Sequence, residues 1–154
     1  SSDVCSSDLC SIEETCAASI NARPLQLNAQ SNFYAHFFQA CELALTVISL
    51  PEAIKLEHLL LELAAEKNPL ALQFYNSSHQ RMCAVWQDFF QQAGTLKFIQ
   101  ADNIEKQINL ILSLLLGVRH HEVLLGIRPI PTEDEKQQII TESIDLFMMK
   151  YKAN

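Results

Sequence analysis

Apolar residues recur at helical intervals through most of this chain. The richest stretch is Ala101 to Gly126, ADNIEKQINLILSLLLGVRHHEVLLG. Ile104, Ile108, Ile111, Leu115 and Val118 fall on one helical face. Leu110, Leu112, Leu114 and Leu116 are apolar too, so the middle of this helix is greasy all round and must be covered on every side. It is too short to cross a bilayer. The uncharged run from Ile108 to Val118 is about half of the roughly 20 residues required, and Glu105, Lys106 and Arg119 bound it. The pattern predicts a core helix, part of whose surface meets a second subunit. Asp102 with Glu105 makes a capping-box-like start, and Gly126 is a natural stop.

The remaining segments read as helices joined by short loops. Ser11 to Ile20 fits a short helix, with Ser11 and Glu14 as a capping box and Ile12 and Cys16 facing inward. Asn21 to Gln30 is a loop around Pro24. Ser31 to Ile48 predicts a helix with Tyr34, Phe37, Cys41, Leu45 and Ile48 on one side. Ser49 and Glu52 suggest a capping box for the next helix, with Pro51 in its first turn. That helix stops before Asn68-Pro69, because the residue before a proline avoids helical geometry. Asn68 then caps a long helix running to Gly94, with a break expected near Ser77-Ser78. Ile127 to Pro131 holds two prolines and is not helical. Thr132 and Glu135 box the start of a last helix striped by Ile140, Ile144, Phe147 and Tyr151. Its opening acids, Glu133, Asp134 and Glu135, and its closing Lys150 and Lys152 suit the helix dipole. The expected fold is all-α, an antiparallel bundle of about five main helices. Only three glycines and little β-branched alternation agree with that.

Composition narrows the class. The chain has 154 residues, enough for one domain with a real core, and 49% of them are hydrophobic. A net charge of -7 argues against a broad basic face for nucleic acid. The five cysteines, at 5, 10, 16, 41 and 83, match no zinc spacing. With no signal peptide and no membrane run, they read as free thiols of a cytoplasmic protein. Residues 1–10, SSDVCSSDLC, are a near-repeat without a helical stripe. They read as a non-native leader or a short disordered tail.

Catalytic and metal chemistry finds little support. Glu57-His58 and His121-Glu122 are adjacent pairs, which diverge by about 100° on a helix and clasp one ion poorly. No glutamate is followed by histidine three positions later, as di-iron bundles require. There is no phosphate loop, no serine elbow and no cysteine with an evident base nearby in sequence. No enzyme activity, metal or cofactor is expected. Cys41 and Cys83 read as packing residues. His120 and His121 are either the wetter end of their helix, beside Arg119 and Glu122, or one of them points into an internal pocket. Trp86, Phe89 and Phe90 are either core or the wall of such a pocket.

From Pro51 to Asn154 the chain resembles the C-terminal ligand-binding and dimerisation domain of a TetR-family transcriptional regulator. The likeness is carried by KNPLALQFY, WQDFFQQAGTL, ILSLLLGVRHHEVLLG, PTEDE and the closing DLFMMKY, in that order and spacing. Upstream, NFYAHFFQACEL resembles the place where the family's DNA-recognition helix hands over to the next helix. Tyr34, His36, Phe37 and Leu43 match that pattern, and the resemblance implies that Tyr34 and His36 lie near the DNA backbone. Ala40 stands where a lysine is usual, Pro24 falls inside the expected first reader helix, and no tight glycine turn occurs around Leu27-Asn28. The expected organisation is therefore a leader at 1–10, a truncated or degenerate helix-turn-helix with its connecting helix at 11–48, and a ligand-binding and dimerisation domain at 49–154.

The resemblance implies a repressor-like homodimer without membrane contact. Its last two helices would pair with the partner's as a four-helix interface, here through Leu110, Leu114, Leu116, Ile144 and Phe147. A pocket among the middle helices would take a small apolar effector, with Phe74, His79, Met82, Trp86, Phe90 and His120 as candidate lining. Operator DNA would be a partner of the full-length protein, bound weakly or not at all by this fragment. Two other readings stay open. A helical adaptor without a ligand predicts a filled core, and a small-molecule enzyme predicts converging polar groups in a pocket.

Overall fold

The computed structural model describes residues 26–154, so the expectations placed on residues 1–10, on Ser11 to Ile20 and around Pro24 lie outside the described residues. Five helices follow one another: α1 (Phe33–Ile48), α2 (Pro51–Ala65), α3 (Leu70–Thr95), α4 (Ile104–Leu124) and α5 (Glu133–Tyr151). The fold is all-α. Helices α4 and α5 pack on each other, α1 lies along α5, and α3 lies along α4. Helix α2 packs chiefly on α3.

Local chemistry sets most helix ends. Thr132 Oγ1 accepts the Glu135 N–H at 3.2 Å, the capping bond expected for α5. Asn32 caps α1 by accepting the Ala35 N–H at 3.1 Å. At α4 the cap falls one residue later than the sequence suggested. Asn103 Oδ1 accepts the Lys106 N–H, while Asp102 accepts from Asn103 itself. The Ser49–Glu52 box is absent: Ser49 closes α1, Leu50 precedes α2 without a side-chain bond, and Pro51 opens α2. Proline there costs no hydrogen bond and its φ already suits a helix. Asn68 Oδ1 accepts the Leu70 N–H at the start of α3. Helix α3 runs unbroken past Ser77-Ser78 to Thr95, and the chain then turns at Lys97 with φ 61°.

Helix α4 is not the single straight helix that its pattern suggested. Gly117 sits at φ 54°, ψ -157°, a break inside an otherwise helical run. Side-chain-bearing residues hardly ever take that geometry, so glycine is what permits the break. The segment after it, 118–124, is thereby re-aimed relative to 104–116.

The main core is aromatic. Phe37 is fully buried and its ring meets those of Phe33, Trp86, Phe89, Phe90 and Phe147, with centroids 5.1–6.3 Å away. Phe90 stacks on Phe147 at 5.2 Å, and Phe147 meets Tyr151 at 4.9 Å. Ile108, Ile111 and Leu115 close the core from α4, and Ile140 and Ile144 from α5. The inward row of α1 begins at Phe33; Tyr34, placed on that row by the sequence reading, is 45% exposed. Leu56, Leu63 and Phe74 form a separate small cluster between α2 and α3. The loop before α4 is tied to the C-terminus, where the Gln100 N–H donates to the Tyr151 carbonyl at 2.7 Å. Buried Gln107 supports that loop by donating to the Gln100 carbonyl at 3.0 Å.

Truncating the central ring should be costly. Phe37→Ala is expected to lower stability by about 3–5 kcal/mol, read from denaturant unfolding. A loss below about 1 kcal/mol would show that the ring cluster is not the centre of the core.

Candidate functional site

A cavity of about 390 Å³, partly open to solvent, lies where the end of α1, the first half of α2, the middle of α3 and the second half of α4 meet. Its size falls within the range of about 300–1,000 Å³ usual for small-molecule sites. Val47 and Ile48 of α1, Leu56 and Leu60 of α2, Met82 of α3, and Leu112 and Leu116 of α4 form an apolar wall. Glu57, Tyr75, Ser78, His79, Arg81 and His120 supply its polar groups.

The polar groups are mostly paired with each other. His120 Nε2 lies 2.8 Å from Glu57 Oε1, joining α4 to α2 beside the cavity. With Glu57 ionised, that nitrogen is the donor. His58 Nε2 lies 2.7 Å from the Leu124 carbonyl, which can only accept, so His58 carries its proton on Nε2. The adjacent Glu57 and His58 thus reach two separate points on the segment of α4 beyond Gly117. Arg119 in the same segment pairs with Glu135 at the start of α5. That guanidinium, followed by desolvation working the other way, holds the exposed Glu135 carboxyl below its ordinary pKa. The tie is therefore intact above the normal carboxylate range and is lost as pH falls through the lowered value.

His79 stacks on the exposed Tyr75 with ring centroids 5.2 Å apart. Its Nε2 lies 3.3 Å from Cys83 Sγ, so Cys83 does have a base one helical turn away, contrary to the sequence reading. Burial raises the Cys83 pKa, and the charge of Glu105 raises it further, which disfavours the thiolate. Burial pushes the Cys41 thiol well up as well. Among the described residues no group of three or more His, Cys, Asp or Glu side chains could hold a metal ion.

Of the six residues nominated for a pocket, His79, Met82 and His120 line the cavity. Phe74, Trp86 and Phe90 do not. Phe74 is spent in the α2–α3 cluster, and Trp86 and Phe90 are 3% and 1% exposed in the main core, turned towards α1 and α5. The cavity residues that sequence reasoning missed include Leu112, placed on no site, and Leu116, assigned to an interface. Their signal was the pair Leu112 and Leu116, one helical turn apart.

The interface candidates also need sorting. Ile144 and Phe147 are fully buried within the chain and have no surface to offer a partner. Leu116 faces the cavity, while Leu110 and Leu114 are half-buried. The apolar side chains that α4 and α5 do expose are Val118 at 75%, Leu146 at 46% and Met149 at 82%. At the start of α1, Tyr34 is exposed and His36 Nδ1 lies 2.9 Å from the Asn32 carbonyl. Among the described residues no single helix is long and apolar enough to cross a membrane.

Five helices around an aromatic core, with a cavity bordered by α1 to α4, make up this all-α domain. Residues 37–153 match the family model described as the C-terminal domain of AefR-like transcriptional repressors, and the chain belongs to that family. A solved structure described as a TetR-family transcriptional regulator from Mesorhizobium loti MAFF303099 is similar to this one, with a TM-score of 0.75 over 96% of this chain and 71% of the other. At 16% identity that likeness speaks for the fold alone. Among curated proteins none matches.

The environment of Cys83 can be checked by residue-resolved alkylation. At mildly alkaline pH, native Cys83 should react more slowly than in the unfolded chain. Glu105→Gln should speed it, because removing the nearby negative charge favours the thiolate. Alkylation of Cys83 as fast in the folded as in the unfolded chain would contradict this environment.

Proposed function

We propose that this chain is the effector-binding and dimerising part of a ligand-responsive, repressor-like regulator. The observation that carries the reading is the division of labour on α4. Leu112 and Leu116 line the cavity, while Leu110 and Leu114, two residues out of phase and so about 200° round the helix, are half-buried on its other side; beyond the break at Gly117, His120 lines the cavity and Val118 is exposed. This one element thus borders a ligand-sized space and also presents the half-buried Leu110 and Leu114 and the exposed Val118 away from it. A molecule that fills the first can shift the second.

In this reading the outer strip, Leu110, Leu114 and Val118 of α4 with Leu146 and Met149 of α5, packs against the same strip of a second copy. A two-fold interface of this kind must be self-complementary. A small, largely apolar effector enters the cavity of each subunit. It switches the protein only if it binds more tightly to one arrangement of the dimer than to the other. The arrangement fixes the separation of two DNA readers, and so the affinity for a two-fold operator. The reader lies before α1, which connects it to the effector-binding part; Tyr34 and His36, at the start of α1, lie near the DNA backbone, and operator DNA is a partner of the complete regulator. Such a regulator works in the cytoplasm and is not an enzyme. The cavity favours this reading over a ligand-free adaptor, which called for a filled core.

Leu146→Arg and Met149→Arg should each convert a dimer to a monomer in light scattering with helical content unchanged, since both side chains are exposed in the single chain. Ile144→Arg should instead unfold the protein, because it places a charge in the core. If both surface variants keep the wild-type mass, the interface lies elsewhere.

A further inference from the structure

Glu57 of α2 and His120 of the segment beyond Gly117 meet at the cavity, and the atoms their contact leaves over define a ligand, given the effector-binding reading on which this inference rests. His120 Nε2 donates to Glu57 Oε1 at 2.8 Å. Among the described residues neither side chain makes a further hydrogen bond or ion pair. Glu57 Oε2 can only accept. With the ring neutral and its one proton on Nε2, His120 Nδ1 can only accept as well. The pair therefore offers a ligand two acceptors and no donor. Neither residue is sealed off: the side chains of His120 and Glu57 are 14% and 37% exposed, and both line the cavity.

The surroundings of the pair are apolar. On α2, Ala53 and Leu60 stand one turn before and one turn after Glu57 and line the same space. Leu112 and Met82 line it from α4 and α3. Glu57 is thus a single carboxylate set in a largely hydrocarbon wall. Of the lining side chains only Arg81 carries a fixed positive charge. It is exposed and already engaged within the protein, so its field is screened by solvent, whereas a group bonded to Glu57 feels that charge directly. The net charge of -7 on the chain also favours the approach of cations.

The geometry points to a cationic amphiphile as the effector: an apolar body that ends in a primary ammonium, which donates to Glu57 Oε2 and His120 Nδ1. An ammonium has three donors and no acceptor, so it complements a pair that has only acceptors left. Hydrogen bonds between ionised groups are about twice as strong as neutral ones. Because the cavity is partly open, the head group keeps part of its water there, and bringing a charge to this site costs less than full burial would.

Octylamine, octanol, 2-octanone and octanoate share an eight-carbon body and differ in the head group. Their affinities for the full chain are to be measured by calorimetry at pH 8, with wild type and with Glu57→Gln, a change that keeps the shape and removes the charge. Octylamine should bind wild type at least about tenfold more tightly than 2-octanone or octanoate, with octanol between. Glu57→Gln should weaken octylamine about tenfold or more and leave 2-octanone within about threefold. Any of the other three binding wild type as tightly as octylamine would overturn the ammonium class and leave the effector-binding reading standing; this ranking does not depend on how the variant folds. Unchanged octylamine affinity in Glu57→Gln, or an equal loss for all four probes, would overturn the role given to the carboxylate. Binding of none of the four to wild type would overturn both this inference and the effector-binding reading.

Discussion

Everything in this fold leans on the contact of the Phe37 ring with the aromatic residues of α3 and α5. Phe37 meets Trp86, Phe89 and Phe90 from one helix and Phe147 from the other, and none of these five side chains is more than 3% exposed. Flat, rigid rings bury large areas at little conformational cost, and tilted and edge-on pairs add to simple burial. The cluster binds α1, α3 and α5 into one unit, and Ile108, Ile111 and Leu115 bring α4 into it. Because Trp86 and Phe90 are committed there, they cannot wall the cavity.

Helix α2 stands outside that unit. It holds on through Leu56 and Leu63 against Phe74, and through two polar ties to the segment beyond Gly117. Both ties start from neighbouring residues, Glu57 and His58, and both end on 118–124. The break at Gly117 makes this geometry available, since it turns that segment relative to the core half of α4. Arg119 carries the same segment to Glu135 on α5. One short piece of chain is therefore in contact with the cavity wall, with α2 and with the last helix. In the proposed mechanism, a molecule that displaces α2 or His120 acts on the surface where the partner would sit. The cavity lies between a stiff aromatic unit and a lightly held helix, which is a suitable place for a site that must respond to occupancy.

Much of this was legible in the sequence, and the failures are physically instructive. The α5 stripe of Ile140, Ile144, Phe147 and Tyr151 and the Thr132 cap were readable because both depend on residues within one or two turns. The division of a uniformly apolar helix was not. In ILSLLL every position but Ser113 qualifies as core, and only the neighbouring helices decide that Ile111 and Leu115 go inward while Leu112 and Leu116 face a cavity. The same limit misplaced Ile144 and Phe147 at an interface, since an apolar stripe does not say whether its cover is the same chain or another. Gly117 was read through because an isolated glycine inside an apolar run resembles a tolerated helical residue. The Cys83–His79 contact was overlooked although the four-residue spacing was in plain view, and burial with Glu105 nearby disfavours the thiolate there.

The central claim is that a stiff aromatic unit carries the fold while α2 is the lightly held wall of the cavity. Native-state hydrogen exchange, read helix by helix, tests it most directly. The account predicts the slowest exchange in α1, in the second half of α3, in 104–116 of α4 and in α5, with these opening together. It predicts that 51–65 exchanges markedly faster, through a local opening that leaves the aromatic unit intact. Exchange of α2 as slow as that of α1, with all five helices opening as a single unit, would contradict it.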